Sequence, residues 1–121
     1  MRMTTKPIAR FKAFDVVAVP FPYADRAAEK RRPAVVVSDP ALEREHGLLW
    51  LVMVTSADNP AWRGDIAIDD LAGAGLPHAS VVRPAKLATI DAARATPIGR
   101  LDNAARAKLA EALRRTMATS R

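Results

Sequence analysis

Proline is the residue that most limits what this chain can fold into. Nine prolines are spread along the 121 residues, and the last of them is Pro97. Proline has no backbone N–H and breaks a helix interior, so long helices are excluded from the chain up to that point. Between the prolines lie short apolar runs bounded by turn residues, a pattern that indicates buried strands.

These runs predict six or seven closely spaced strands before residue 101. The predicted strands are Asp15–Phe21, Pro33–Ser38, Leu48–Ser56, Asp65–Ile68, Ser80–Arg83, Lys86–Ile90 and Pro97–Arg100. Residues 41–46 and 69–74 are each predicted to form a helical turn. Trp50, in the middle of the longest apolar run, is predicted to belong to the core.

The C-terminal segment differs in kind. Residues 102–117 contain no Gly or Pro, and Ala105, Leu109, Leu113 and Met117 recur at every fourth position. That spacing predicts an amphipathic helix with one apolar stripe, for which Asp102 supplies an N-cap. A mainly β chain closed by one helix predicts a small barrel with a C-terminal α-helix, because a parallel sheet would need helices between its strands.

Length and charge narrow the class of protein. A chain of 13.1 kDa corresponds to a single domain, predicted over residues 13–121 after a basic tail at residues 1–12. Lys and Arg outnumber Asp and Glu by 19 to 13, which favours a polyanionic partner such as nucleic acid. The tail supplies four of the six net positive charges, so the folded part is only weakly basic.

Several locations and chemistries are excluded. The chain has no cysteine, and therefore no disulfide, thiolate nucleophile or cysteine-ligated zinc. The longest uncharged apolar run, residues 47–57, is too short to span a membrane. No apolar segment follows the basic residues as it would in a secretory signal. We therefore expect a cytoplasmic protein that does not act at a membrane.

The histidines and the paired aspartates each have two interpretations. His46 and His78 fit a general acid–base pair, and they also fit solvated side chains in polar loops. Asp69 and Asp70 fit a Mg²⁺ site, and they also fit the N-cap and first turn of a helix. The sequence shows no spacing typical of metal ligands, and no serine-hydrolase, P-loop or dinucleotide motif.

Two polar positions stand at the ends of predicted strands. Arg31 and Arg32 close a polar loop just before a strand, where a planar guanidinium can hold a phosphate with two hydrogen bonds. Thr55 and Ser56 end the third predicted strand, which would hold a hydroxyl in a fixed place. The alternative for the arginines is a solvated charged face. The alternative for Thr55 and Ser56 is that their hydroxyls only form hydrogen bonds with nearby backbone groups.

If the polyanionic partner is a single-stranded nucleic acid, aromatic side chains are the expected means of binding its unpaired bases. Phe21 and Tyr23 at the first loop, and Trp62 in the loop after the third strand, are the candidate platforms. For Trp62, packing against the surface of the protein itself is an equally good interpretation.

Taken together, the segments resemble the MazF/PemK family of toxin–antitoxin ribonucleases. The matching segments are DVVAVPFPYAD (15–25), KRRPAVVVS (30–38), VMVTSA (52–57), GDIAI (64–68), AGLPHASVVRPAKLATID (74–91) and IGRLDNAARAKLAEAL (98–113). They cover nearly the whole chain after the tail, in the order and spacing of the family. The resemblance implies an SH3-like barrel that forms a homodimer and cleaves single-stranded RNA without a metal or cofactor. It also implies inhibition by an extended segment of a cognate antitoxin.

The resemblance assigns roles to particular residues. The catalytic arginine corresponds to Arg32 and the catalytic threonine to Thr55, with Ser56 beside it as an auxiliary. Arg83 is expected as a second catalytic cation at the leaving oxygen, and Lys86 is expected to line the RNA groove with it. Such a site would use the RNA 2′-hydroxyl as nucleophile, giving a 2′,3′-cyclic phosphate and a 5′-hydroxyl.

The chain departs from the family in two places. Phe14 stands where a glycine usually precedes the first-strand aspartate, and Ala85 stands where some relatives have an acidic candidate base. Two alternative functions stay open. One is a non-catalytic, gyrase-targeting toxin of the CcdB type on the same barrel. The other is an inactive barrel that binds RNA or antitoxin without cutting.

Overall fold

The computed structural model describes residues 8–21 and 30–118, which form one sheet with flanking helices. The strands are β1 (Asp15–Phe21), β2 (Lys30–Val36), β3 (Leu48–Ser56), β4 (Ile66–Ala67), β5 (Ser80–Asp91) and β6 (Thr96–Arg100). The helices are α1 (Pro40–His46), α2 (Leu71–Ala74) and α3 (Asn103–Thr116), and a 3-10 turn at Ala92–Arg94 joins β5 to β6.

The strands form one antiparallel sheet in the order β4-β5-β3-β2-β1-β6. In β5, two strands were predicted on either side of Pro84, whereas the structure has one continuous strand. Its pairing with β3 shifts between Val52 and Met53, so residues 84–86 bulge out of the ladder. A bulge accommodates proline because the extra residues need no partner across the sheet.

Alternating side chains give the sheet two apolar faces. On one face, Val35 packs in a cluster with Leu109 of α3. On the opposite face, Ala34 and Met53 pack in a second cluster with Phe11. The helix begins after Asp102, whose carboxylate accepts the Ala105 N–H at 2.8 Å, as predicted. Among the described residues, no helix is long and apolar enough to cross a membrane.

The helix α2 brings the two edges of the sheet together. It follows edge strand β4 and packs on the other edge strand, β6. A Cβ on Gly75, where φ is 75°, would lie 2.0 Å from the Ile98 carbonyl oxygen, and one on Gly99 would lie 2.4 Å from the Ala74 carbonyl carbon. These glycines allow the close approach that curls the sheet into a half-barrel. The prediction of a mainly β, barrel-like fold with a C-terminal helix is confirmed.

Two smaller predictions need correction. Trp50 is 41% exposed instead of buried, because it lies beyond the part of its sheet face that α3 covers. Phe11, assigned to the basic tail, is only 4% exposed. The buried Glu43 side chain accepts the backbone N–H groups of Arg10 and Phe11, each at 3.0 Å. Part of the predicted tail therefore packs with the domain.

Candidate active site

The first residues of β2 and the last residues of β3 do not pair with each other, although the two strands are neighbours in the sheet. Their pairing ends where Ala34 faces Met53, and the residue before Ala34 is Pro33, which has no N–H to donate to a neighbouring strand. Continued by two residues, the same register sets Arg32 of β2 opposite Thr55 of β3, on the sheet face that carries Met53. We call this place the Arg32–Thr55 notch.

Arg32 brings an uncompensated positive charge to the notch. It pairs with Val19 of β1 on its other side, so the main chain that carries it is fixed within the sheet. Its side chain is exposed and makes no hydrogen bond or ion pair with any residue of the described ranges 8–21 and 30–118. No residue of those ranges therefore occupies any of the five N–H donors of the guanidinium, which can bind an anion.

The hydroxyl of Thr55 is oriented by the loop that follows β3. The Asn59 side-chain nitrogen donates to Thr55 Oγ1 at 2.6 Å. The turn itself is tied to Ser56, whose carbonyl accepts the Asn59 N–H and whose hydroxyl accepts the Asp58 N–H, both at 3.1 Å. Because Thr55 Oγ1 accepts from Asn59, its own proton is free to point at a ligand in the notch.

Arg83 is held by the same loop. Its Nε donates to Asp65 Oδ1 at 3.0 Å, and its Nη2 donates to Asp65 Oδ2 at 2.9 Å and to the Pro60 carbonyl at 3.0 Å. The guanidinium carbon lies 4.2 Å from the centre of the Trp62 ring, and the residue is 7% exposed. The geometry commits Arg83 to the loop, and its direct contact with RNA stays a prediction.

This pairing fixes the charge of both partners. The hydrogen bonds from Arg83 lower the pKa of the Asp65 carboxyl, an effect that outweighs partial burial. The same hydrogen bonds raise the pKa of Arg83 above its already high usual value. Both groups are therefore charged at neutral pH, and neither can exchange a proton with a substrate there.

The structure does not bring Arg31 into the notch. Because side chains alternate along a strand, Arg31 lies on the opposite face of β2 from Arg32. Its Nη2 donates to the Ala18 carbonyl at 2.9 Å and to Thr96 Oγ1 at 2.5 Å, which links β2 to β1 and β6. A substrate contact by Arg31 stays a prediction.

The remaining candidates lie around the site. Lys86 is exposed in the bulge of β5, and Trp62 is 46% exposed in the loop after β3. Phe21 ends β1, where its main chain pairs with Lys30. Tyr23 lies outside the described residues.

The histidines and acidic residues do not form a second site. His46 at the end of α1 and His78 in the loop before β5 are both exposed. Asp70 is the N-cap of α2 and accepts the Gly73 N–H at 2.9 Å, in agreement with the second interpretation of the paired aspartates. Within residues 8–21 and 30–118, no group of three His, Cys, Asp or Glu side chains could hold a metal ion.

Sequence reasoning missed Asn59 and Asp65. Asn59 was not among the candidate residues, and Asp65 was predicted only as the start of a strand. A turn that follows a candidate catalytic hydroxyl by four residues was the available signal for Asn59. Asp65 gave no local signal, because its partner Arg83 lies 18 residues away in the chain.

A family model for the PemK-like, MazF-like toxin of type II toxin–antitoxin systems matches residues 12–117. The chain belongs to this family. The match runs from just before β1 to the end of α3, so it includes Arg32, Thr55 and Arg83. The resemblance predicted from the sequence is confirmed. A search of curated proteins returned no match.

Solved structures share the fold of this PemK/MazF-family chain. A MazE–MazF complex (Form II) from Deinococcus radiodurans is 24% identical with a TM-score of 0.68, covering 84% of this chain and 90% of that one. An endoribonuclease with its cognate antitoxin from a mycobacterial species is 17% identical with a TM-score of 0.66, covering 84% and 89%. The Mycobacterium tuberculosis toxin MazF-mt6 is 19% identical with a TM-score of 0.61, covering 80% and 90%.

Proposed function

We propose that this PemK/MazF-family chain is a metal-independent, sequence-specific endoribonuclease that cleaves single-stranded RNA at the Arg32–Thr55 notch and so inhibits translation and growth. The observation that carries the proposal is the register of β2 with β3. Continued by two residues beyond Ala34 and Met53, it sets Arg32, whose guanidinium has no partner among the described residues, opposite Thr55, whose hydroxyl Asn59 orients. Membership of the toxin family supports the same reaction class.

The chemistry that suits these groups uses the RNA as its own nucleophile. The 2′-oxygen attacks the adjacent phosphorus and the bond to the 5′-oxygen breaks, giving a 2′,3′-cyclic phosphate and a 5′-hydroxyl. One proton leaves the 2′-oxygen and one reaches the 5′-oxygen. Arg32 stabilises the added charge on the phosphorus oxygens, and the Thr55 hydroxyl donates to one of them. Ala85 offers no carboxylate, so no base is assigned at that position.

The test compares Arg32→Ala with its neighbour Arg31→Ala. Both variants remove one positive charge from the same strand, but only Arg32 faces the notch. We expect Arg32→Ala to lower kcat/KM by about 10²–10³, as for other removed charge-stabilising groups, and Arg31→Ala to lower it only a few-fold. Cleavage of a long single-stranded RNA is followed by primer extension with EDTA present, after circular dichroism has verified folding.

Three outcomes would contradict the proposal. A folded Arg32→Ala protein that cuts at the wild-type rate would remove the assigned cation. Equal losses in the two variants would indicate a general charge effect. Loss of wild-type cleavage in EDTA would show that a metal ion is needed.

The proposed partners are a cognate antitoxin and a second copy of the chain. Solved relatives in complex with antitoxins support the first. An acidic antitoxin segment would compete with RNA for the exposed Arg32, so we expect the antitoxin to block cleavage. The homodimer follows from the family resemblance, and sedimentation equilibrium of the purified chain tests it.

The two alternatives make different predictions for growth. A gyrase-targeting toxin of the CcdB type has no use for an arginine set opposite a threonine, so Arg32→Ala would leave growth arrest intact. An inactive barrel would cause no arrest that depends on Arg32. We expect expression to arrest growth and Arg32→Ala to relieve the arrest.

A further inference from the structure

The loop between β3 and β4, residues 57–65, is held by the carboxylate of Asp65, which bonds both to Arg83 of β5 and to the main chain of the loop. Asp65 accepts two hydrogen bonds from Arg83, one on each oxygen, at 3.0 and 2.9 Å. Its Oδ2 also accepts the backbone N–H of Trp62 at 2.9 Å, and the Asp65 N–H donates back to the Trp62 carbonyl at 3.1 Å. This closed set of bonds fixes the main chain on both sides of residues 63 and 64.

The guanidinium of Arg83 completes the arrangement. It donates to the Pro60 carbonyl at 3.0 Å, and its central carbon lies over the Trp62 ring, 4.2 Å from the ring centre. A paired two-bond contact to a carboxylate fixes the guanidinium, and Asp65 also accepts the Trp62 N–H, so the indole ring is held by a side-chain contact and through its main chain. We call Asp65, Arg83 and Trp62 the loop clamp.

The clamp leaves one part of Trp62 available. Arg83 covers one face of the indole ring, yet the residue keeps 46% of its surface exposed. The same loop carries Asn59, which contacts the Thr55 hydroxyl at 2.6 Å. A fixed aromatic face therefore stands on the loop that also shapes the notch.

A ring that is already fixed binds a base at a lower entropic cost than a ring on a free loop, because its rotamer need not be ordered on binding. Stacking of an unpaired base on an aromatic ring tolerates any base identity. Such a contact sets where the strand lies and leaves the choice of sequence to other contacts.

We infer that Asp65 and Arg83 are positioning residues that hold Trp62 as a stacking platform for one unpaired RNA base beside the Arg32–Thr55 notch. The inference rests on the proposed function for the notch. It differs from the catalytic role expected for Arg83 as a second cation, because Arg83 then acts through Trp62 and not on the scissile phosphate.

The test uses Trp62 as its own reporter. The chain has two tryptophans, so Trp50→Phe leaves Trp62 as the single one. The probe is a 2′-O-methylated single-stranded oligonucleotide, which lacks the nucleophile and cannot be cleaved. We expect the probe to quench Trp62 fluorescence, and Asp65→Asn and Arg83→Gln each to weaken both the quenching and the binding about ten-fold.

The two variants change net charge in opposite directions, which separates the clamp from bulk electrostatics. Asp65→Asn makes the protein more positive, so a charge effect alone would strengthen RNA binding. The clamp predicts weaker binding in both variants. It also predicts that the double variant is no weaker than either single one, since each single change already releases the ring.

Two matched controls change charged residues outside the loop clamp. Asp58→Asn removes an exposed carboxylate from the same loop, and Arg100→Gln removes the Asp15–Arg100 ion pair between β1 and β6. Neither touches Trp62, so we expect quenching and affinity close to those of the parent. Trp62→Phe keeps a ring and should retain most of the affinity, whereas Trp62→Ala should lose about as much as Asp65→Asn.

Kinetics on cleavable RNA decide between positioning and direct catalysis. We expect Asp65→Asn and Arg83→Gln to raise KM about ten-fold with little change in kcat. Unchanged quenching and affinity in Asp65→Asn would overturn the inference. So would an Arg83→Gln protein that loses kcat about 100-fold while Asp65→Asn keeps it, since Arg83 would then act on the phosphate itself.

The proposed function is tested separately in the same protein set. We expect Arg32→Ala to lose cleavage while its Trp62 is still quenched by the methylated probe. If the wild-type chain cuts no RNA, the proposed function fails, and the quenching series still decides whether Trp62 is a base platform set by Asp65 and Arg83.

Discussion

Phe14 holds a backbone conformation that residues with a side chain rarely adopt. Its φ is 75°, and the conformation is fixed because its N–H donates to the Val36 carbonyl at 2.7 Å and its carbonyl accepts the Leu101 N–H at 3.0 Å. The ring packs against the cluster under α3, with the Arg106 guanidinium 5.8 Å from its centre. The usual family residue at this place, glycine, suits this φ without strain.

An alanine variant is usually more stable than a glycine variant at the same position, and we expect the opposite order at Phe14. Both Phe14→Gly and Phe14→Ala lose the ring, but only alanine keeps a Cβ in the left-handed region, so the glycine variant should be more stable by about 1 kcal/mol. Phe11 is the control, since its φ is not positive and alanine should be the more stable there. Urea unfolding measures both pairs, and an alanine advantage at position 14 would contradict the interpretation.

Asn59 is the residue of the loop between β3 and β4 that contacts the proposed catalytic hydroxyl of Thr55. Its amide donates to Thr55 Oγ1, which leaves the Thr55 proton for the phosphate. Asn59→Asp replaces the donor by an acceptor that would take that proton and repel the phosphate. We expect kcat/KM for RNA cleavage to fall at least about ten-fold, approaching the loss of about 10²–10³ that follows removal of an oxyanion donor. Asn103→Asp, an equal charge change at the exposed start of α3, is the control and should cut at the wild-type rate.

At the level of elements, α2 is the part that closes the sheet on itself. Two features disfavour any side chain at Gly75: its φ of 75°, and the Ile98 carbonyl oxygen 2.0 Å from where a Cβ would be. Gly64 has a φ of 94° but no atom within 4 Å of that position. We expect Gly64→Ala to cost about 1–2 kcal/mol for backbone strain alone and Gly75→Ala to cost about 1–3 kcal/mol more. Equal losses in urea unfolding would show that the close approach to β6 does not hold the barrel shut.

The strands that the sequence predicted best are those with a long, uninterrupted apolar run. β1 and β3 have the predicted bounds, and the caps at Asp70 and Asp102 are where their side-chain chemistry placed them. The shortening of β4 and the continuity of β5 through Pro84 were not predictable, because both depend on how far a neighbouring strand reaches.

The candidate site was predictable where single residues carry the signal and not where residues meet across the fold. The strand predicted to start at Pro33 begins at Lys30, because its first residues pair with β1, so Arg32 lies within β2 and not in the loop before it. Arg32 and Thr55 could be named from local sequence and family resemblance, and they face each other when the register of Ala34 with Met53 is continued by two residues. The pairing of Asp65 with Arg83 depends on the path of the loop, which no local pattern encodes. Trp50 was misplaced because an apolar run does not show which part of a face a helix will leave uncovered.

At the scale of the whole molecule, two carboxylates make the free energy of unfolding depend on pH. Hydrogen bonds from Arg83 lower the pKa of Asp65, and the Ala105 N–H lowers the pKa of Asp102. A carboxyl whose folded pKa lies below its unfolded value, about 3.9 for Asp, stabilises the fold fully at neutral pH. That contribution begins to fall as the pH drops toward the unfolded pKa, and it is lost once the pH has fallen through the folded pKa.

We therefore expect the free energy of unfolding of the wild type to decrease below about pH 4. Asp102→Asn keeps an N-cap that does not titrate, so its stability should change less over the same range. Urea unfolding between pH 2 and 7 measures both proteins. Parallel curves would contradict a lowered pKa at Asp102, and Asp58→Asn, in an exposed loop, serves as the control.

The loop clamp has a consequence for how sequences of this family can diverge. Replacing Asp65 alone leaves an arginine with little exposure and no counter-charge, and replacing Arg83 alone leaves the carboxylate equally isolated. A protein with only one of the two residues replaced would be less stable, so we expect the two positions to change together among relatives. In an alignment of relatives, we expect an acid at position 65 to accompany arginine at position 83, and both to be absent from the same sequences.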